Sequence, residues 1–272
     1  MMMLPADLSL NWVLSAVAVL LYAASALLGQ QIGVANSRRM LSVAWGTHAW
    51  AWVSGLMGIG DSTGPHFGFA PALSVTCWLV MAFYALEQRW VPQVRSRGAL
   101  GGLGAAVLLL TMAFPGKAMN VNASAWLPLH WAFGLASYGL FGAAVVHAAL
   151  MTRAERQMRM AADATIGMPL LTLERLTFRF VGAGFVLLSA TLLAGWWFGE
   201  QLYGSGHAWR WDHKTIFSLL SWLCFATLLF GRTQLGWRGR TAVRVLYAGT
   251  GLLLLAYVGS RFVLEVVLDR LR

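Results

Sequence analysis

The densest group of chemistry-bearing side chains in the 272-residue chain is the octapeptide HAWRWDHK, residues 207–214. Trp209 and Trp211 bracket Arg210; His207 stands ahead of them, and Asp212, His213 and Lys214 follow. In extended chain a spacing of two projects both indoles to the same side. They then form an apolar platform, with the cations of Arg210 and Lys214 beside it for acidic groups on whatever lies flat upon it. An interfacial belt explains one or two tryptophans at a span end, and Trp196, Trp197 and Trp237 need no other account. It accounts less well for paired indoles with an aspartate attached.

A flat, apolar, anionic-rimmed ligand fits such a platform, and haem is the obvious biological instance. Haem iron also takes axial ligands, most often neutral imidazole. Six histidines are available. His48 sits midway along an apolar run in WGTHAWAW, where Trp45, His48 and Trp52 are three and four apart and share one helix face. An imidazole at that depth is costly without a partner or a ligand. The flanking indoles favour a lined pocket with His48 on iron; the competing reading is a hydrogen bond to a neighbouring helix. His130, in LPLHWAFGLASYG, is one turn into its own run from the outer side and pairs best with the tryptophan loop. His207 and His213 flank the tryptophans but read first as solvated, as does His66 beside Pro65; His147 receives no role. At the helical rise His48 lies roughly 15–18 Å below the outer surface and His130 about 5 Å. Two stations, one deep and one outer, suit that spacing better than one shared iron.

The elements that must position these residues are membrane helices. The chain is 58% hydrophobic with only 11% charged residues, against about 25% in a soluble domain, which is too few to cover a water-facing surface. The net charge of +10 invites a nucleic-acid reading, but the charges fall in short loops rather than on one face, which excludes it. Cys77 and Cys224 are isolated in apolar runs, so neither thiol exchange nor a zinc ribbon is indicated.

A helix crossing the hydrocarbon needs roughly 20 apolar residues. Runs of that kind occur near 8–28, 41–60, 70–87, 99–115, 127–151, 178–198, 215–231 and 243–262. The expected fold is therefore all-α and polytopic, one domain over 1–272 with about eight transmembrane helices. The first run lacks the basic flank of a signal peptide and reads as a retained span. Glycines in LGGLGAAV and VGAGF predict close helix contacts. The connections after spans one, three, five and seven carry most of the arginines, among them Arg38, Arg39, Arg153, Arg156, Arg232 and Arg240. That bias makes them cytoplasmic and puts both termini outside. The outer loop is about 199–214. The cytoplasmic segment 152–177 reads as a polar extension of span five, then an amphipathic helix on the inner leaflet before span six.

The stretch SGHAWRWDHK resembles the tryptophan-rich (WWD) motif of the haem-handling membrane proteins of cytochrome c assembly, the CcsA/ResC, CcmC and CcmF superfamily. The family pattern W-G-x-x-W-x-W-D is met by Gly206, Trp209, Trp211 and Asp212, with Ser205 in place of the first tryptophan. HWAFGLASYGLF is similar to the family's outer-histidine segment, PLLTLERLTFRFVGAGFVLL to its inner helix, and WGTHAWAW to its membrane-embedded histidine. The resemblance covers most of residues 40–260, and the compact length points to the YpjD-like branch. It implies b-type haem, non-covalent and in transit, held by the outer loop and the candidate ligands His48 and His130. It further implies delivery to apocytochrome c beside a second membrane subunit, in a bacterial inner membrane with the loop periplasmic. The family's second outer histidine has no counterpart in YVGSRFVLEVVLDRLR. His207 or His213 would take its place, or the iron would have one protein ligand. With no acid–base pair of its own, the chain reads as a holder and presenter, and any catalysis would belong to a haem–apocytochrome c ligating complex of which it is a subunit. The competing function is a regulatory or structural membrane protein of the same fold that has lost haem presentation. A solute transporter is disfavoured, since Asp61, Glu200 and Asp212 all lie in loops.

Overall fold

The computed structural model describes residues 10–29, 31–59, 65–88, 97–118, 127–159, 170–199 and 211–268. Each apolar run of the sequence corresponds to a helix: α1 (Leu10–Leu28), α2 (Val34–Met57), α3 (Phe69–Gln88), α4 (Arg97–Ala113), α5 (Leu127–Arg159), α6 (Leu170–Trp197), α7 (His213–Gln234) and α8 (Gly239–Leu254). The chain runs on from α8 through two π-helical stretches, Leu255–Gly259 and Val263–Val267, separated by one turn at Ser260–Phe262. The all-helical expectation is amended by one short antiparallel pair, β1 (His66–Phe67) with β2 (Lys117–Ala118).

Five helical segments are long and apolar enough to cross a bilayer: Leu10–Leu28, Leu129–Arg156, Leu170–Trp197, His213–Gln234 and Gly239–Val267. The apolar parts of α3 and α4, Phe69–Ala85 and Gly98–Ala113, are shorter. The architecture is that of a polytopic membrane protein. Its side chains are distributed accordingly: α1 buries Ser15, Ala18, Tyr22 and Ser25 and exposes Val13, Val17, Leu20 and Leu27. Small and polar residues inside with branched apolar ones outside is the arrangement expected where lipid is the solvent.

The chain forms two compact units. The first holds α1, α2, the greater part of α3, α4, the strand pair and the segment from Arg261 onward. Here Gly101 and Gly104 let α4 lie against α1; a Cβ on Gly104 would stand 3.0 Å from the Tyr22 ring. Glu265 accepts a 3.4 Å hydrogen bond from the Phe69 amide and lies so close that a Cβ on Gly68 would meet its Oε2 at 2.6 Å.

The second unit holds the end of α3 and α5 to α8 as far as Ser260. Phe141 of α5 and Phe225 of α7 stack at 3.7 Å, tilted by 4°. Gly184 and Gly249 make room for that pair, each with its would-be Cβ 3.0 Å from a ring. Of the glycines singled out by sequence, Gly101, Gly104 and Gly184 sit at helix–helix contacts, while Gly102 and Gly182 face open space. Segment 170–177 differs from expectation: it is no separate surface helix but the uninterrupted start of α6. Leu173, Thr177, Val181, Gly184 and Leu188 are all buried, and their three- and four-residue spacing carries one buried face from the polar start into the span.

Candidate functional site

The deep candidate belongs to the first unit. His48 of α2 is fully buried. Its Nδ1 is 3.2 Å from the Tyr22 hydroxyl on α1, and its Nε2 is 2.8 Å from the Ser74 hydroxyl on α3. Both ring nitrogens are thereby satisfied, and the imidazole ties three helices together. The neighbouring indoles are engaged as well. Trp45 stacks on Trp78 of α3 at 4.5 Å and 10°, and each ring donates to the other residue's carbonyl, at 3.2 and 3.0 Å. Trp52 meets Trp78 edge-on at 5.5 Å, and its Nε1–H has no hydrogen-bond partner among the described residues. The adjoining cavity, lined by Trp52, Ser74, Asn11 and Thr111, measures about 30 Å³. That is room for water, whereas sites for cofactor-sized ligands run to about 300–1,000 Å³. As packed here, the surroundings of His48 do not admit a porphyrin.

The outer candidate belongs to the second unit. His130 lies near the start of α5, 9% exposed, and is hydrogen-bonded to the Thr191 backbone of α6 within the field of the Lys214 ammonium. A Cβ on Gly195 would stand 3.5 Å from its Cε1, in ordinary van der Waals contact, so α6 passes directly against that edge of the imidazole. Next to Gly195, at the end of α6, Trp196 and Trp197 are 60% and 77% exposed. Trp211 is 71% exposed just ahead of α7. Asp212 is the N-cap of α7 and accepts from the Thr215 amide at 2.9 Å, satisfying one of the helix's orphan donors. Capping α7 is the role visible for Asp212 in the structure. Lys214 lies 5.8 Å over the Tyr257 ring in the first π-helical stretch, and the Tyr138 hydroxyl donates to the Leu253 carbonyl.

One end of the second unit therefore gathers an imidazole, an ammonium, a phenol ring and three exposed indoles. Ser205, Gly206, His207, Trp209 and Arg210 lie outside the described residues. His213 is exposed and His147 is buried against Phe180. Among the described residues no group of three or more His, Cys, Asp or Glu is arranged to hold a metal ion. The sequence argument missed Tyr22, Ser74 and Trp78, the partners of the deep cluster, and Tyr257 beneath Lys214. The one available signal was their status as polar or indole-bearing residues inside apolar runs.

The profile of the family described as "Cytochrome C assembly protein" matches residues 40–268. Among curated proteins, the "Cytochrome c biogenesis protein CcsA" of Synechococcus elongatus is 32% identical over 123 residues, 45% of this chain and 34% of that protein. The "Inner membrane protein YpjD" of Escherichia coli K12 is 35% identical over 99 residues, 36% of each chain. An uncharacterized 28.8 kDa protein of Azospirillum brasilense is 32% identical over 218 residues, covering 75% of this chain and 77% of that one. The match spans about a third of the length of the CcsA and YpjD relatives. No solved structure matches. A profile match over most of the chain, joined by a relative aligned along three-quarters of it, places this protein in the cytochrome C assembly protein family.

Proposed function

We propose that this chain handles haem in cytochrome c biogenesis. It holds b-type haem non-covalently, as cargo, at the tryptophan-bearing end of the second unit for delivery to apocytochrome c. The observation that carries the reading is the convergence of His130, Lys214 and the exposed Trp196, Trp197 and Trp211 at one end of one unit, in a chain of the cytochrome C assembly family. In that role His130 is the axial donor, the indoles cover the porphyrin face, and Lys214, with Arg210 of the preceding loop, meets propionate. Asp212 fixes the junction of loop and α7. The chain lies in a bacterial inner membrane with eight spans, both termini and the tryptophan loop outside, and works beside a second membrane subunit.

The closed packing around His48 favours a narrower role for the deep histidine, as a tie among α1, α2 and α3. It also favours the second reading, a relative that keeps the fold and has given up haem presentation.

The absorption spectrum of the full chain purified from a haem-replete host separates the two. Haem handling predicts a Soret band that weakens several-fold in His130→Ala at unchanged expression and persists in His48→Gln. A colourless wild-type preparation overturns it in favour of the haem-free relative.

A further inference from the structure

The opposite end of the second unit carries a different kind of site. There the last turns of α5 and the first turns of α8 enclose a cleft of about 610 Å³. Arg153 and Arg156 project from α5, Arg240 and Arg244 from α8, with Glu155 the one carboxylate among the lining residues. All four arginines are exposed, and none has an ion-pair partner among the described residues. Arg232 and Arg238 nearby differ, for they share Glu174 at 2.6 and 3.7 Å.

This placement is unfavourable unless something offsets it. Like charges three and four residues apart on one helix repel, and the cleft sets two such pairs against each other. Arg240 and Arg244 also stand in the first turns of α8, where the helix dipole disfavours cations. The N-cap, Arg238, makes no side-chain hydrogen bond to that turn. Gly239 lines the cleft, and a Cβ there would meet nothing within 4 Å, so the amides of the turn are approachable. Four guanidiniums and a helix N-terminus together suit an anion with several oxygens. The floor is apolar: Ala149, Val243 and Tyr247, with Tyr247 41% exposed on the outward surface of α8. An amphipathic anion, charged at the helix ends and hydrocarbon along them, fits both halves.

We propose that this cleft binds the phosphate head of an anionic membrane phospholipid, with an acyl chain lying along Tyr247. Basic pockets between helices at the cytoplasmic side are suited to such heads. The site lies at the far end of the unit from His130 and is independent of haem.

The test uses the full chain delipidated in mild detergent, with bound lipid counted by native mass spectrometry and unfolding followed thermally. Cardiolipin is expected to give a discrete one-lipid adduct and raise the midpoint by several degrees, while phosphatidylcholine gives neither. The triple variant Arg153→Gln/Arg240→Gln/Arg244→Gln is expected to weaken cardiolipin binding at least tenfold, and Arg38→Gln/Arg39→Gln to leave it unchanged. Should the triple variant fail to fold, Arg244→Gln alone is expected to weaken binding measurably. Equal effects of phosphatidylcholine, or undiminished cardiolipin binding in the variants, would overturn the proposal. Full stabilisation by millimolar inorganic phosphate alone would reassign the site to a free anion and overturn the lipid assignment.

Discussion

At the scale of single residues, the two histidines differ in what surrounds them. His48 spends both nitrogens on hydroxyls from other helices, so its removal leaves two buried hydroxyls and a hole. His48→Ala is expected to destabilise the protein by about 1–3 kcal/mol, read as a lower unfolding midpoint in detergent; His48→Gln, which keeps one interhelical bond, is expected to lose less. Asp212 makes a separate contribution through its bond to the Thr215 amide. Asp212→Ala is expected to cost about 1 kcal/mol, while Asp212→Asn stays near wild type in the same measurement. A loss in both Asp212 variants would show that its charge acts on something other than the helix end. Sequence identified His48 and its indole-lined face but left open whether the imidazole met a ligand or another helix. Spacing within α2 says which residues share a face and nothing of what lies opposite. Tyr22, Ser74 and Trp78 come from runs 26 to 33 residues away.

At the scale of elements, period and glycine placement carried over well. The sequence runs coincide with helices because an unbroken apolar stretch in lipid has no other way to satisfy its backbone. VGAGF lies where Gly184 faces the Phe141 ring. Gly184→Leu is expected to destabilise by about 1–3 kcal/mol through overpacking, with Phe141→Ala restoring part of the loss in the double variant. An additive double variant would mean that the two positions do not meet. Gly195 is the element-scale test of the outer site. Because a bulky side chain there would press on the His130 ring, Gly195→Leu is expected to lower haem loading several-fold by Soret absorbance with little change in unfolding midpoint. The segment before span six was less legible. Its charged residues imitate a surface helix, yet its buried positions continue the face of α6, and only the neighbouring helices distinguish the two.

At the scale of the whole molecule, the second unit has two chemically distinct ends, arginines at one and indoles with His130 and Lys214 at the other. Positive charge is retained on the cytoplasmic side during insertion, so the arginine end predicts orientation. In a background with Cys77 and Cys224 replaced by serine, His213→Cys is expected to react with an impermeant maleimide in intact spheroplasts. Gln234→Cys is expected to react only after lysis. The reverse pattern would place the indole end in the cytosol and remove the basis for periplasmic haem delivery. Helical character and the polytopic membrane class were legible from sequence because they depend on transfer of each residue between water and lipid, a local quantity. So was the family, because the residues that carry the resemblance stand next to one another in the chain. Tertiary structure alone decided that His48 is bound by hydroxyls, that Gly195 lies against His130, and that four arginines from α5 and α8 share one cleft. Those facts depend on which helix faces meet, and packing between elements distant in the chain fixes that.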